Sequence, residues 1–463
     1  MRAARASTSM AGMTSIETLP ALTGDVVTPD QAAWDLARRA WNLAVDQRPA
    51  CVAFPADAAD VQTVLEHAIR TGLKVAPQGT GHNAAALGSL EGTILLSTQR
   101  MRGVEIDVEA RTARVQAGTL WVEVTDAASP HGLFPLSGSA PDVGVVGYTL
   151  GGGMSWLARR HGLAANAVTA IELVTPDAQL VRATPDVHPD LFWALRGGGG
   201  NFGVVTAMEF ELFPYGEVYG GMLLWPYDRH AEVLHAWHAL TETAPEELTT
   251  AIRIMHFPPL PELPPFLSGR SVVVIDGAYA GGAEEGAAAI AALRALEPEM
   301  DTWAPVSPAV LSRIHMDPEE PVPYRGDGAT LGALDAAALD AFAAGVLPGS
   351  PLLFGELRHV GGAAGRVPAG GGAVGCIRGE YVLFSLGLAF SPEMAAGAGA
   401  GLAAMKAGMA PWANGKEYLN FVERPVDTAT LYDGEDYARL RAIRAAVDPA
   451  GRMVGNHPIP AAV

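Results

Sequence analysis

Three glycine-bearing stretches hold the residues best suited to chemistry. The first is Gln78-Gly79-Thr80-Gly81-His82-Asn83, a glycine loop closed by a histidine. The second covers residues 137–153 (SGSAPDVGVVGYTLGGG), opening on small residues and ending on three glycines in a row. The third covers residues 197–203 (GGGGNFG). Glycine has no Cβ to hold a ligand away, and it tolerates positive φ at a cost in folding entropy. Close approach of main chain to a flat or phosphorylated cofactor is a use that repays this cost, so the three loops are expected to converge on one cofactor. The loop histidine adds a nucleophile, because an ordinary imidazole has a pKa of about 6.5 and offers a neutral nitrogen near pH 7.

Several familiar sites fail on these letters. Gly198-Gly199-Gly200-Asn201-Phe202-Gly203 satisfies G-x-G-x-x-G, but that fingerprint needs a strand before it and a helix after it. Here a helix is expected before and a strand after. The run Gly151 to Gly153 leads toward a helix, yet Trp156 stands at the third glycine position. No G-x-S-x-G elbow occurs, no lysine has a Walker A setting, and the twelve histidines lack H-x-x-x-H spacing, so no metal site is expected.

The elements that must carry the loops are legible in part. Residues 28–42 are expected to form a helix, with Thr28 or Asp30 as cap and Trp34, Ala37 and Trp41 at helical spacing. A strand over 52–54 leads to a helix capped by Asp57 or Asp60, with Val61, Val64, Leu65, Ala68 and Ile69 on its apolar face and Gly72 at its end. Residues 73–76 form the next strand and deliver the His82 loop. Alternating stretches from Gly92 predict successive short strands TILLST, VEIDVE and TARVQAG, then a helix over 120–128. After the second glycine stretch come a helix over 154–160, a hairpin of VTAIELVTP with QLVRAT, a short helix DLFWAL and the strand VVTAMEFELFP.

From about Pro214 to residue 410 the texture changes. Apolar strands (GGMLLWPY, LTTAIRIMHF, RSVVVIDGAYA, EYVLFSLGLAF) alternate with Ala-rich helices, which predicts an antiparallel sheet with helices on one face. The chain is therefore expected to be α+β. Its divisions are a flexible tail over 1–27, a cofactor domain over 28–213, a substrate domain over 214–410, and a segment over 411–463 that returns to complete the cofactor domain. The last segment carries a helix, YARLRAIRAAVDP, stopped by Asp448-Pro449.

Composition narrows the function. The formal net charge of −19 argues against nucleic acid, since an acidic surface repels phosphates. No run of about 18 apolar residues suggests a membrane span, and the first 20 residues lack the apolar core of a secretory signal. A cytoplasmic location is expected. Cys51 and Cys376 flank no motif and are read as thiols.

Taken together, PQGTGHN, SGSAPDVGVVGYTLGGG, RRHGLAANAVTAIELVTPDAQLVRAT, DLFWALRGGGGNFGVVTAMEFELFP and the closing YLNF…DGEDYARLRAIRAAVDPAGRM resemble the berberine-bridge-enzyme-like flavoprotein oxidases of the vanillyl-alcohol-oxidase superfamily. The motifs cover 50–213 and 415–460 in that family's order; 214–410 is similar in texture only. The resemblance implies a two-subdomain FAD-binding module of the PCMH type and a substrate domain whose sheet covers the flavin. It implies FAD contacts at Gln78, Gly79, Thr80, Gly81, His82 and Asn83, at Ser139, Ala140, Val143, Gly144, Gly147, Tyr148, Gly151, Gly152 and Gly153, at Gly200, Asn201, Gly203, Val204 and Val205, and at Asn420. His82 matches the histidine that bonds to the flavin 8α carbon, with Gln78 and Thr80 standing where Arg and Gly are common. Ala140 occupies the position of a second, cysteinyl link and carries no sulfur, so any covalent bond runs through His82 alone.

Two uses are open for Tyr418. In the family's Y-x-N pattern it is the base near the flavin, but a phenol of pKa about 10 needs a cation or hydrogen bonds to act so; otherwise its ring packs under the cofactor. Tyr148 is either a cofactor contact or a core aromatic. In the substrate domain His315, Tyr324, Arg358, His359 and Arg378 could line a pocket. The expected function is an FAD-dependent oxidase taking hydride from an alcohol or amine-type carbon of a small molecule onto flavin N5, with O2 reoxidation to H2O2. The alternatives are a dehydrogenase with another acceptor and a flavin carrier without turnover. Peroxide release separates the first from the others.

Overall fold

The computed structural model describes residues 19–462 apart from 260, 262, 263 and 265. Of the expected tail over 1–27, residues 1–18 lie outside the described residues. Its last part is ordered: β1 (Asp25–Val27) pairs antiparallel with β2 (Cys51–Phe54). Helix α1 is only Trp34–Ala37, far shorter than the expected helix over 28–42. The chain leaves the helix because Trp41 N–H bonds to Thr80 O (3.0 Å) and Ala40 packs against Gly81.

The first sheet has the order β1-β2-β4-β3, with β3 at Lys74–Gln78 and β4 at Thr93–Ser97. Both neighbours of β4 are parallel to it, and all five of its residues are buried. Its unbroken apolar run is that of a two-sided parallel strand, so it leaves the alternating series expected from Gly92. Helix α2 (Ala58–Thr71) covers this sheet with Val61, Val64, Leu65 and Ala68, while Ile69 turns out to solvent. Asp57 caps it by accepting from Asp60 N–H (3.0 Å), and Gly72 at φ 74° ends it.

The second sheet has the order β5-β6-β9-β7-β8: β5 Val104–Asp107, β6 Thr112–Gln116, β7 Val168–Val174, β8 Leu180–Ala183 and β9 Val204–Glu211, all antiparallel. Helices α3 (Trp121–Ala128), α4 (Val145–Leu150), α5 (Ala158–His161) and α6 (Pro189–Leu195) surround it. The helix expected over 154–160 is reduced to α5. Gly152 and Gly153 take positive φ, and their carbonyls accept from Ala165 and Ala164 N–H (2.8 and 2.9 Å), which keeps 151–157 out of a helix.

The third sheet is antiparallel, in the order β13-β10-β12-β11-β16-β17-β15 with β14 also on β10. Its strands are β10 Val218–Pro226, β11 Leu248–His256, β12 Ser271–Tyr279, β13 Met300–Asp301, β14 Ala304–Val306, β15 Tyr324–Leu331, β16 Phe354–His359 and β17 Tyr381–Leu388. Helices α7 (His230–Thr241), α8 (Ala283–Ala289), α9 (Ala291–Arg294), α11 (Ala336–Gly345) and α12 (Pro392–Met409) supply partners for one face; α10 (Pro308–Leu311) lies elsewhere, beside α3. Strand alternation sends Leu223, Trp225, Ile252, Ile254, Val273, Ile275 and Leu357 into that helix-covered core, with Trp237, Phe342 and Met405 opposite. Each such large apolar side chain contributes about 1.5–3 kcal/mol on burial. The other face receives Arg253, Asp276, Glu356 and Arg358.

The C-terminal segment returns through both smaller sheets. Tyr418, Leu419, Val422, Leu440 and Ile459 join the core of the second sheet, and Met453 joins that of the first. Met453 bridges to Val75 in β3, flanked by bonds from Val75 N to Arg452 O (2.9 Å) and from Val454 N to Val75 O (2.8 Å). The reversal after α13 (Gly434–Val447) rests on Asp448, fully buried, whose carboxylate accepts from Arg452 N (2.9 Å) and Met453 N (2.8 Å) and pairs with Arg444 (2.9 Å). Asp448→Ala strands these donors, so denaturant unfolding should show a loss of about 3 kcal/mol or more; a loss under about 1 kcal/mol contradicts this role.

Candidate functional site

The three glycine loops meet at the carboxyl end of β3. A Cβ built on Gly144 would lie 3.8 Å from Thr80 Cγ2, and one on Gly200 would lie 3.1 Å from Pro77 Cγ. What each glycine is for then differs from loop to loop. Built Cβ atoms on Gly79 and Gly147 meet nothing within 4 Å. Gly147 sits inside α4, where glycine costs about 1 kcal/mol relative to alanine. No protein atom lies within 4 Å of the place a side chain would take there, which leaves that side of α4 open.

The triple glycine serves the protein instead. A Cβ on Gly151 would stand 1.9 Å from Asn420 Oδ1; on Gly153, with φ 77°, 2.5 Å from the Tyr148 ring. Gly152, at φ 111°, faces Leu163, Val374 and Tyr418. Gly151 and Gly152 thus make room for the C-terminal segment, and Gly153 for Tyr148 and Ala164. Similarly, Gly203 at φ 151° avoids Val174 O, and Val204 and Val205 are core residues of the two sheets. Asn201 is spent on backbone: its Nδ2 donates to Gly198 O (2.8 Å) and His457 O (3.0 Å), and its Oδ1 accepts from Ile459 N (3.0 Å). Residues 145–150 form α4 with Gly144 as N-cap.

His82 is half-buried at the mouth of the first loop. Its ring stacks on Trp41, with centroids 4.2 Å apart and planes 22° apart. Nε2 lies 3.2 Å from Asp142 Oδ2, yet not in line for a hydrogen bond, and neither Asp142 oxygen has another such partner. Asn83 donates to Leu419 O (3.3 Å), leaving its buried Oδ1 unsatisfied. Gln78 is turned inward and accepts from Gln47 (2.8 Å). Val143 takes part as backbone, its carbonyl accepting from Trp121 N (3.0 Å). Ala140 is half-buried, and the two cysteines, both free and buried, lie in β2 and in the loop before β17.

Tyr418 and Asn420 lie beside the glycine turn. Asn420 Nδ2 donates to Tyr418 Oη (3.1 Å) and to Tyr148 O (2.9 Å). Burial pushes the Tyr418 phenol well above its ordinary range, against the opposing pull of Asn420, the Arg358 charge and the Gly153 and Met154 amides. The partners that a phenolate needs are thus present, though burial outweighs them without substrate. Tyr148 is a core aromatic: its phenol donates to Leu136 O (3.1 Å) and its ring meets Trp121 edge-on.

The inner face of the third sheet carries a buried charge network. Register places Ala251 opposite both Asp276 and Arg358, and Arg253 opposite Glu356. Arg253 pairs with Asp276 (2.6 Å), His315 Nδ1 lies 2.6 Å from the same carboxylate, and His315 Nε2 lies 3.3 Å from Glu356, which binds Arg358. Burial and Arg253 push the His315 pKa down, but Asp276, Asp317 and Glu356 outweigh them and raise it. Burial likewise opposes ionisation of Glu356, but Arg358 and His315 hold its carboxyl well below the usual range. Arg358 extends from this network toward the glycine loops, donating to Ser139 Oγ (3.1 Å) and lying over the Trp156 and Phe421 rings.

Of the five pocket candidates, His315, Tyr324 and Arg358 converge on this region. His359 does not: its side chain meets Arg159 (2.9 Å), and burial lowers its pKa to about 3. Arg378 is exposed, pairs with Asp433 (2.6 Å) and lines, together with Cys376, Lys416 and Tyr418, a cavity of about 120 Å³. Glu423, Asp142, Trp41 and Glu356 were not foreseen. Glu423 lies five residues after Tyr418, and its Oε1 is 3.0 Å from Tyr324 Oη, which also lies 3.2 Å from His82 O. Burial lifts its pKa to about 8, against the Tyr324 bond and with help from Asp327. A neutral Glu423 can donate to Tyr324, freeing the phenol proton for the His82 carbonyl.

Comparison with known proteins follows this geometry. Residues 49–184 match the family model for an FAD binding domain. The (R)-6-hydroxynicotine oxidase of Paenarthrobacter nicotinovorans is 33% identical over 190 residues, 41% of this chain and 42% of that protein. Glucooligosaccharide oxidase of Sarocladium strictum is 32% identical over 232 residues, 49% and 46%. The matched part thus spans less than half of these two relatives. Among solved structures, BBE-like 1 of Physcomitrella patens aligns with a TM-score of 0.83 at 20% identity, covering 95% of this chain and 98% of that one. The 6-hydroxy-D-nicotine oxidase of Arthrobacter nicotinovorans aligns with 0.81 at 22%, covering 95% and 97%. These likenesses show the fold. Among the described residues no helix is long and apolar enough to cross a membrane.

Two substitutions test the site. Gly147→Ala should leave the flavin-free protein as stable or up to about 1 kcal/mol more so, while FAD titration shows weaker binding; unchanged affinity would mean that α4 does not face the cofactor. In the folded chain Glu423 keeps its proton up to about pH 8, whereas in the unfolded chain it loses it near the ordinary 4.5. Folded protein therefore binds the extra proton between those values, and this group's contribution to stability falls as pH rises through them. Glu423→Gln should flatten the decline in urea midpoint between about pH 5 and about pH 8; an unchanged slope contradicts the neutral carboxyl.

Proposed function

We propose that this berberine-bridge-enzyme-like chain, with its FAD-binding domain, is an FAD-dependent oxidase of a small molecule bearing an alcohol or amine-type carbon. The observation that carries the reading is the open space over Gly79 and Gly147, flanked by His82 and by a Tyr418 phenol whose oxygen faces several donors. Residues 28–213 and 411–463 would hold the cofactor, and 214–410 would select the substrate. When bound, FAD would accept hydride at N5 and pass two electrons to O2, giving H2O2. His82, beside the open space, would form a covalent link to it, with no second link at Ala140. A chain carrying these parts is expected to work in the cytoplasm.

The residues divide the remaining work. Substrate entering beside Tyr418 would offer its O–H or N–H to the phenol oxygen. Tyr418 would be the base for that proton; burial keeps its phenol protonated, and Asn420 Nδ2 and the Arg358 charge are the groups that oppose burial and would support the phenol oxygen as it receives the substrate proton and passes its own on. Arg358 is held in place by Glu356 and Ser139, so its charge is preorganised. The Trp156 and Phe421 rings lie against the Arg358 guanidinium and give the region apolar walls.

The test uses the purified protein. Its acid-precipitated pellet should stay yellow, and His82→Ala should give a colourless pellet with free flavin in the supernatant. A screen of sugars, secondary alcohols and amines with peroxide readout should find a substrate that bleaches the flavin. Tyr418→Phe should lower kcat by about 100-fold or more with flavin content retained. A colourless wild-type pellet removes the link, and failure of every compound to bleach the flavin contradicts the oxidase.

A further inference from the structure

Asp142 stands out as a charged group that nothing yet described uses. It follows Ala140 and Pro141 in the second loop, and the backbone there is already committed: Pro141 O accepts from Val122 N (2.8 Å) and Val143 O from Trp121 N (3.0 Å). These bonds fix the loop, and with it the carboxylate. Both Asp142 oxygens are shielded from solvent and lack hydrogen bonds, a costly state for an ionised group. Its one ion pair among the described residues is with His82 Nε2 at 3.2 Å, an atom equally without a hydrogen bond. The stack on Trp41 restrains the plane of the His82 ring, so one end of the imidazole is committed to the carboxylate.

We propose that Asp142 is the positioning residue for covalent attachment of FAD to His82, holding the Nε2 side of the ring so that Nδ1 is presented to the cofactor. The inference rests on the His82-linked reading above. A carboxylate facing Nε2 favours the tautomer with its proton on Nε2, which leaves the Nδ1 lone pair free. In the linking step a C–N bond forms between Nδ1 and a ring methyl carbon of the isoalloxazine. That carbon loses one C–H bond, and the imidazole loses its Nε2 proton. The two electrons and two protons released end on the flavin, reducing it, and dioxygen then takes them as hydrogen peroxide. The imidazole becomes cationic as the bond forms. Asp142 stabilises that charge and accepts the Nε2 proton on its way out, while the Trp41 face adds a cation–π contribution.

The experiment starts from full-length protein made under flavin limitation and mixed with FAD and air, with covalent product followed by intact mass under denaturing conditions. Asp142→Asn should slow attachment by about tenfold or more, and Asp142→Glu should recover most of the rate. Reversible FAD binding, read by flavin fluorescence before attachment, should stay within about twofold in both variants, as a positioning role and not a packing role requires. Peptide mapping of the wild type should place the flavin on His82 Nδ1, and nitrogen NMR of the flavin-free protein should show an Nε2–H tautomer that Asp142→Asn weakens. Attachment at the wild-type rate in Asp142→Asn, or a flavin on Nε2, overturns the role of Asp142 while leaving a His82 link intact. Wild-type protein that never acquires flavin mass overturns the His82 link itself.

Discussion

The site depends on one steric allowance: Gly151 has no side chain where Asn420 stands. A Cβ there would fall 1.9 Å from Asn420 Oδ1, so any other residue would push the Asn420 amide out of its place. With Asn420 seated, its amide reaches Tyr418 Oη and Tyr148 O together. The short 3-10 turn Leu419–Phe421 that follows carries the chain on to Glu423, which contacts Tyr324 and through it the His82 carbonyl. One segment thereby ties the glycine turn, the third sheet and the His82 loop into a single constellation. Asn420 and Tyr148, 272 positions apart in sequence, bond because Gly151 leaves the amide its place.

The third sheet makes a second demand. Two arginines, two carboxylates and His315 share its inner face, nearly all sealed from water. Burial of such groups is expensive and is tolerated when each is paired. The pairing here is dense enough to hold every member in one arrangement. It ends in a cation, Arg358, pointing at the glycine loops and resting against aromatic rings. A charge fixed in this way needs no reorganisation when a reacting group develops negative charge nearby, the condition under which electrostatic stabilisation is most effective.

Local physics made part of this legible in the sequence. Helix α2 announced itself through Asp57, its apolar spacing and Gly72, and β7, β8 and β9 through alternation and turn residues. The α+β arrangement and the convergence of three loops followed from order alone. The rest depended on contacts between distant residues. Strand β16 reads as FGELRH, polar in sequence and buried in the fold because Glu356 and Arg358 satisfy each other. Helix α12 is so rich in Gly and Ala that no apolar face stands out; its Ala398 fits against Gly387 of β17, where a Cβ would be 2.6 Å away. The glycines were harder still, since Gly147 and Gly151 are the same letter with opposite purposes. Asp142 and Glu423 carried a faint signal as lone carboxylates inside otherwise apolar motifs. Trp41 carried none, because its helical spacing pointed to a helix that the chain abandons.

The central claim is that the space over Gly79 and Gly147 is where FAD lies, between His82 and Tyr418. The most direct measurement is a crystal structure of the protein loaded with FAD. The account predicts cofactor density in van der Waals contact with the Cα atoms of Gly79 and Gly147, and the isoalloxazine between the His82 loop and Tyr418. Density that leaves Gly147 exposed to solvent, or that displaces Asn420 to reach Gly151, would contradict it.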